Sequence, residues 1–484
     1  MSRPLTIVWF LYDFRLADHP ALHAAVARGD VLAVYVHDPA AESPWEPGGA
    51  RRWWMHHALT SLQESLAAVG QRLIVRQGNS QECLLQLARE SGADAIVWNE
   101  RWTPSLRARD TQAAKAFSDA GLKVKMSAGP LLHHPEKLTT GTGGSYTVFT
   151  PFWRKLRSTV TPDFPLPAPA LDAAVERVST LETVAIPDLG LLPKITWDSG
   201  FYEKWEPGES GAHRRLQVFL EHRIGRYHGA RDLPAVAGTS ELSPYLVHGE
   251  ITPRQIWHAV VELQESSADA HYREECEHLL RELAWRDFSY HVLHFRPDTP
   301  HLPLKPKYAG FPWLHDPAGL RKWQKGQTGY PIVDAGMRQL WHTGWMHNRV
   351  RMVVASFLTK DLLVPWQEGA RWFWDTLVDA DLANNSMGWQ WAAGCGADAQ
   401  PFFRIFNPVS QGEKFDPDGE YVKRWVPELE HWPTRLVHAP WTAQGSVLRH
   451  LQEQGRGNYP PPVVDHAMAR DRALDALKRM GGEA

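Results

Sequence analysis

Thr6-Ile7-Val8-Trp9-Phe10 is an unbroken apolar and β-branched run, and a second, Val31-Leu32-Ala33-Val34-Tyr35-Val36, follows it. Runs this short and continuous read as strands buried on both faces. Working outward, a helix is expected from about Arg51, where Trp54, Leu59, Leu62, Leu66 and Val69 fall near helical spacing. A strand over 72–75, a helix capped by Ser80, a strand over 93–98, a helix over 105–120 and a strand over 123–126 continue the series. Alternating strand and helix predicts a parallel, Rossmann-like sheet with helices on both faces. No Gly-x-Gly-x-x-Gly follows the first strand, so the dinucleotide fingerprint is absent. Residues 1–130 are assigned to this α/β domain.

The texture then changes. Pro162, Pro165, Pro167, Pro169, Pro187 and Pro193 punctuate a region of weak periodicity, and residues 131–208 read as a connector laid over the surface. From 209 to 475 the pattern is helical. Thr252 before Pro253 is a cap followed by a first-turn proline, and Pro331 opens another helix toward Leu340. Segments 272–295, 345–358 and 369–378 have helical periodicity. The expected architecture is therefore α/β plus all-α.

Composition narrows the classes. With 43% hydrophobic and 22% charged residues in 484, the chain is an ordinary globular one, not a disordered one. Cys83, Cys276 and Cys395 are too few and too scattered for a disulfide framework or a zinc site, which fits a reducing, cytoplasmic setting. The start of the chain has no signal-peptide pattern, and no apolar run is long enough for a bilayer. A net charge of −3 weighs against nucleic-acid binding by the whole surface. However, Lys305, Lys307, Arg321, Lys322 and Lys325 face only Asp316 in their stretch, so a local basic face is compatible with a neutral whole. The 23 tryptophans read mostly as core, less so where they cluster beside charged and amide residues after 280.

Four constellations carry chemistry. Gly238-Thr239-Ser240-Glu241-Leu242-Ser243 offers hydroxyl and backbone N–H groups to phosphate, with a plain helix N-cap as the alternative. On a helix, Glu282, Trp285 and Arg286 share a face, giving a stacking surface beside hydrogen-bonding groups that suits a nucleobase; a surface Glu–Arg pair is the alternative. In Trp345-Met346-His347-Asn348-Arg349-Val350-Arg351-Met352, Asn348 and Met352 share a face; the amide can meet a base or flavin edge and Arg349 a phosphate, or the helix is simply cationic. Last, Asp379 and Asp381 precede Asn384-Asn385 and Gly388-Trp389-Gln390-Trp391; two carboxylates without a third ligand are a poor metal signal, and no metal is expected.

Together these resemble the photolyase/cryptochrome family over nearly the whole chain. The most specific segment runs from Gly329-Tyr330-Pro331-Ile332-Val333-Asp334-Ala335 to Phe403-Arg404-Ile405-Phe406-Asn407-Pro408. The resemblance implies an antenna domain, a connector and a helical domain holding FAD, and light-driven repair of cyclobutane pyrimidine dimers. It places Tyr227, Thr239, Ser240, Leu242 and Ser243 at the flavin's phosphate and ribityl chain, and Trp285 and Arg286 along the cavity. It places Arg351 and Asp379 as an ion pair beside the isoalloxazine, with Asp381 at the ring and Asn385 at N5. Glu282 and Asn348 match partners of the dimer, Trp285, Met352 and Trp391 its walls, and Arg231, Arg349 and Arg404 phosphate contacts. Trp389, Trp366 and Trp313 match an electron-hopping chain.

Within the family the resemblance is to class I cyclobutane-dimer photolyases. Asn348 stands where (6-4) enzymes carry histidine, and Asn385 where plant-type cryptochromes carry aspartate and animal ones cysteine. The chain after the flavin domain is short; a cryptochrome-like blue-light receptor is the alternative. Ser105-Leu106 replaces the Asn-Glu of pterin-binding members, and Leu11, Tyr12 and Phe14 also depart from the family's first-strand pattern. An antenna pigment is therefore expected to be a deazaflavin or flavin nucleotide near Arg51-Arg52-Trp53 rather than folate, unless that segment is only the basic start of a helix. The expected partner is damaged DNA, bound by a monomer.

Overall fold

A computed structural model describes residues 3–445, 449 and 458–481. Five strands, β1 (Leu5–Phe10), β2 (Asp30–His37), β3 (Leu73–Gln77), β4 (Ala95–Asn99) and β5 (Lys123–Ser127), form a parallel sheet in the order β3-β2-β1-β4-β5. All six residues of β1 are buried, the reason its sequence is continuously apolar rather than alternating. The crossovers are α1 (Pro20–Val26), α2 (Gly49–Ala68), α3 (Ser80–Ser91) and α4 (Pro104–Asp119). The cap of α3 is Asn79 rather than Ser80. Asn79 Oδ1 accepts the Glu82 N–H at 3.1 Å, while the Ser80 hydroxyl donates to Asp38 at 2.7 Å.

The stretch read as connector contains α5 (Phe149–Thr159), whose Phe149, Phe152, Trp153 and Leu156 are buried. The helices that matter for the site follow: α6 (Glu209–His222), α7 (Ser243–Val247), α8 (Pro253–Ser266), α9 (Ala270–Phe295), α10 (Pro331–Thr343), α11 (Asn348–Ser356), α12 (Trp366–Thr376) and α13 (Leu382–Ala393). Thr252 caps α8 with a full capping box to Gln255. The helix expected over 345–358 starts later, at Asn348, because His347 is its cap: Nδ1 accepts the Arg349 N–H at 3.2 Å. It then runs into a π-helical turn, Phe357–Asp361. The helix expected over 369–378 is α12, which begins directly after Pro365.

The domains are joined by buried polar contacts. Asp18 accepts from Arg254 at 2.8 Å and from the Thr252 hydroxyl at 2.5 Å, Trp54 Nε1 donates to Glu250 at 2.9 Å, and Trp374 Nε1 donates to the Glu46 carbonyl at 2.7 Å. No helix among the described residues is long and apolar enough to cross a membrane.

Candidate functional site

The helical domain encloses a cavity of about 560 Å³, within the range of small-molecule and cofactor sites. Its walls come from α9, α11, α13, the turn before α7 and the segment between α12 and α13.

The inner end is built around one ion pair. Arg351 Nη2 donates to both Asp379 carboxylate oxygens, at 2.8 and 3.1 Å. Neither side chain is free to turn. Arg351 Nε donates to the Met346 carbonyl at 2.7 Å, and Asp379 also accepts the Ser243 hydroxyl at 2.6 Å. Asp381 caps α13 through the Asn384 N–H at 2.8 Å and accepts the Tyr290 hydroxyl. Burial and the neighbouring Asp381 carboxylate push the Tyr290 phenol well above its ordinary value, so it stays a donor. Asn385 Nδ2 donates to the Ala370 carbonyl at 2.9 Å, which orients its amide on the cavity wall. Trp389 is buried against Phe373 and against α12 at Gly369, where a Cβ would lie 2.0 Å from the indole; only glycine admits the ring there. Its Nε1 is buried without a partner.

The mouth carries a different set. Glu282, Trp285 and Arg286 lie on the cavity face of α9. Arg231 Nη1 donates to Glu282 Oε1 at 2.5 Å, and Arg349 Nη2 to Asp232 at 2.7 Å. Burial opposes the Arg231 charge, but Glu282 and Asp232 outweigh it and raise its pKa above the ordinary value. Arg286 donates to the Pro130 carbonyl at 2.8 Å and lies over the Tyr290 ring. Asn348 is exposed at the rim, with Met352 one turn on and Trp391 also on the wall. Tyr227, Ser240 and Leu242 complete the side near α7.

Four residues assigned to the site from sequence lie off the cavity wall. Thr239 is half-buried behind it, its carbonyl taking Arg223 Nη1 at 3.4 Å. Trp366 is fully buried at the start of α12, one turn before the glycine that receives Trp389. Trp313 packs on Phe311, ring centroids 4.4 Å apart. Arg404 is exposed on a separate loop. Of the Arg51-Arg52-Trp53 segment only Arg52 is exposed. Arg51 is sealed between the Tyr12 and Trp374 rings, and Trp53 is buried against Phe201. Asp232, Tyr290 and Phe149 were not foreseen. Asp232 neighbours Arg231 in sequence, but nothing local marks the other two.

These groups fit a flavin nucleotide. The cavity offers a fixed guanidinium–carboxylate pair, an oriented amide and serine hydroxyls, all on largely apolar walls. Known proteins agree. A family model described as the FAD binding domain of DNA photolyase matches residues 279–479, and one described as DNA photolyase matches residues 6–170. A deoxyribodipyrimidine photo-lyase of Agrobacterium fabrum is 45% identical over 478 residues, 97% of each chain. The crystal structure of a bacterial class III photolyase from Agrobacterium tumefaciens superposes with a TM-score of 0.94 at 44% identity, covering 100% of this chain and 98% of that one. An archaeal photolyase from Sulfolobus tokodaii, solved with two FAD molecules, gives 0.82 at 29% identity over 98% and 100%. From the paired α/β and FAD-binding domains to the groups lining the cavity, the chain belongs to the photolyase/cryptochrome family.

Proposed function

We propose that this protein is a deoxyribodipyrimidine photo-lyase, which uses light to split cyclobutane pyrimidine dimers in DNA. The observation that carries this reading is a single cavity with a flavin-suited inner end and a nucleobase-suited mouth. Reduced FAD, if held there, would supply on excitation the electron that opens the cyclobutane ring and would be the final acceptor of that electron.

This chain's residues do the rest. Arg351, Asp379, Asp381 and Asn385 hold the ring system, while Tyr227, Ser240, Leu242 and Ser243 hold the ribityl and phosphate portion. Trp285, Met352 and Trp391 wall off a flipped dimer. Flipping is less costly for a damaged, poorly stacked pair than for an intact one, because less stacking and pairing energy is lost. Asn348 and Glu282 hydrogen-bond the pyrimidine edges. Glu282 reaches the dimer by exchanging Arg231, which then meets backbone phosphate with Arg349 and Arg404. Trp389, Trp366 and Trp313 form the route that reloads the flavin with electrons. The protein acts as a cytoplasmic monomer. A light-gathering pigment of deazaflavin or flavin type belongs to the same reading, supported by the related archaeal structure with two FAD molecules. Because Arg51 and Trp53 are sealed, such a pigment meets at most Arg52 of that segment.

The test is light-dependent repair of dimer-bearing oligothymidylate by purified, reduced holoprotein, with a dark control. Recovery of thymine absorbance only in blue light is expected. FAD binding without recovery would replace repair by a cryptochrome-like photoreceptor role. Separating and quantifying the chromophores released on denaturation decides the second pigment: one FAD per chain and nothing else would remove it.

A further inference from the structure

We infer that Phe149, on the first helix of the connector, is a positioning residue for the pyrimidine-dimer pocket: it sets the plane of Trp285. The inference rests on the reading of Trp285 as a wall of that pocket.

The two rings are nearly parallel and stacked, their planes 9° apart and their centroids only 3.8 Å apart. Free aromatic pairs favour offset or edge-on arrangements with wider centroid separations, because ring quadrupoles repel in a close face-to-face stack. This stack therefore depends on its surroundings. Phe149 is 1% exposed and held edge-on by Phe288 at 5.8 Å, with Phe152 at 6.4 Å. Trp285 is half-buried and lines the cavity. A flat neighbour on one face blocks rotation of the indole about χ2, leaving the other face as a fixed platform. Such an ordered platform binds a base without first losing rotamer freedom.

The backbone around Phe149 ties this platform to the opposite wall. The Tyr146 N–H donates to His291 Nε2 on α9 at 2.9 Å, and the Asp398 N–H donates to the Thr147 carbonyl at 2.9 Å. Asp398 lies in the loop directly after α13, which carries Trp391. Residues 146–149 thus bridge the elements that bear the two tryptophan walls. A segment read from sequence as a connector sets their spacing.

The experiment is a double-mutant cycle on FAD-loaded protein. Affinity for a thymine-dimer duplex and for the undamaged duplex is measured in the dark in wild type, Phe149→Leu, Trp285→Ala and the double variant. Phe149→Leu keeps apolar volume but removes the flat contact; Phe149→Tyr keeps the stack and serves as rescue. The expected result is a loss of dimer affinity of about three- to tenfold in Phe149→Leu. Undamaged-duplex affinity and flavin absorbance should be unchanged, Phe149→Tyr should restore binding, and the loss should vanish when Trp285 is already alanine. An equal loss in both backgrounds, or none in either, would overturn the role of Phe149. If Trp285→Ala itself binds dimer DNA normally, the pocket reading fails instead, and the two failures are told apart by that single variant.

Discussion

In the α/β domain, the crevice beyond the ends of β1 and β4 is where open parallel sheets usually bind ligands. Here it is filled by the protein's own groups. Asp13 accepts the Leu11 N–H at 2.6 Å and Asn99 Nδ2 at 2.8 Å and pairs with His19 at 3.1 Å, and Asn99 Oδ1 takes the Ala21 N–H at 3.0 Å. The helical domain uses the same chemical types, carboxylate, amide and histidine, around open volume. There Asn348 stands exposed at the rim, and Ser240 and Asn385 are only half-buried on the wall. Polar groups that satisfy one another hold a fold together; polar groups converging on space await a ligand. Changes in the first region should therefore alter stability alone, and changes in the second should alter function as well.

The sharpest break of that contrast is Arg351→Ala. It strands the Asp379 carboxylate, whose side chain is 2% exposed. A loss of about 3–5 kcal/mol is expected, with loss of bound FAD, read by urea unfolding and by flavin absorbance. Normal flavin content would remove the pair from the cofactor site.

Next is His347, which burial holds at a pKa of about 4 while its Nδ1 caps α11. Its folded value lies below the unfolded one, so no penalty exists above about pH 6.5. As pH falls from there toward 4, the unfolded chain takes up a proton that the folded one refuses. Stability should drop by about 3 kcal/mol over that window. His347→Asn keeps a cap acceptor without titrating, so its urea midpoint should be flatter between pH 7 and 5. Parallel curves would assign the acid sensitivity elsewhere.

Glu282→Ala probes the mouth. Losing a charge-assisted hydrogen bond to the lesion should lower dimer affinity about tenfold and change the pH dependence of repair. An unchanged profile and yield would reject its role. The smallest effect belongs to the α/β side. Asn79→Ala removes the cap of α3 and should cost about 1 kcal/mol with repair untouched; altered repair would mean that the domains are coupled more tightly than their division of labour suggests.

The α/β sheet, the helical second half and the cap at Thr252 were legible in the sequence because each depends on local signals. Buried strands need continuous apolar runs, amphipathic helices need a 3.6-residue period, and a cap acts within three residues. Glu282, Trp285 and Arg286 could be placed together for the same reason, since one helical turn brings them to one face. The family motifs named the partners Arg351 and Asp379, but their contact is made between α11 and the segment before α13. No periodicity predicts that contact. Tertiary structure alone decided that Arg231 rests on Glu282, that Tyr290 donates to Asp381, that Arg404 and Trp313 stand apart from the cavity, and that Phe149 lies flat on Trp285. Those pairs are separated by long stretches of chain. Their geometry follows from how whole helices pack, a property set by the sum of many buried contacts rather than by any residue's neighbours in sequence.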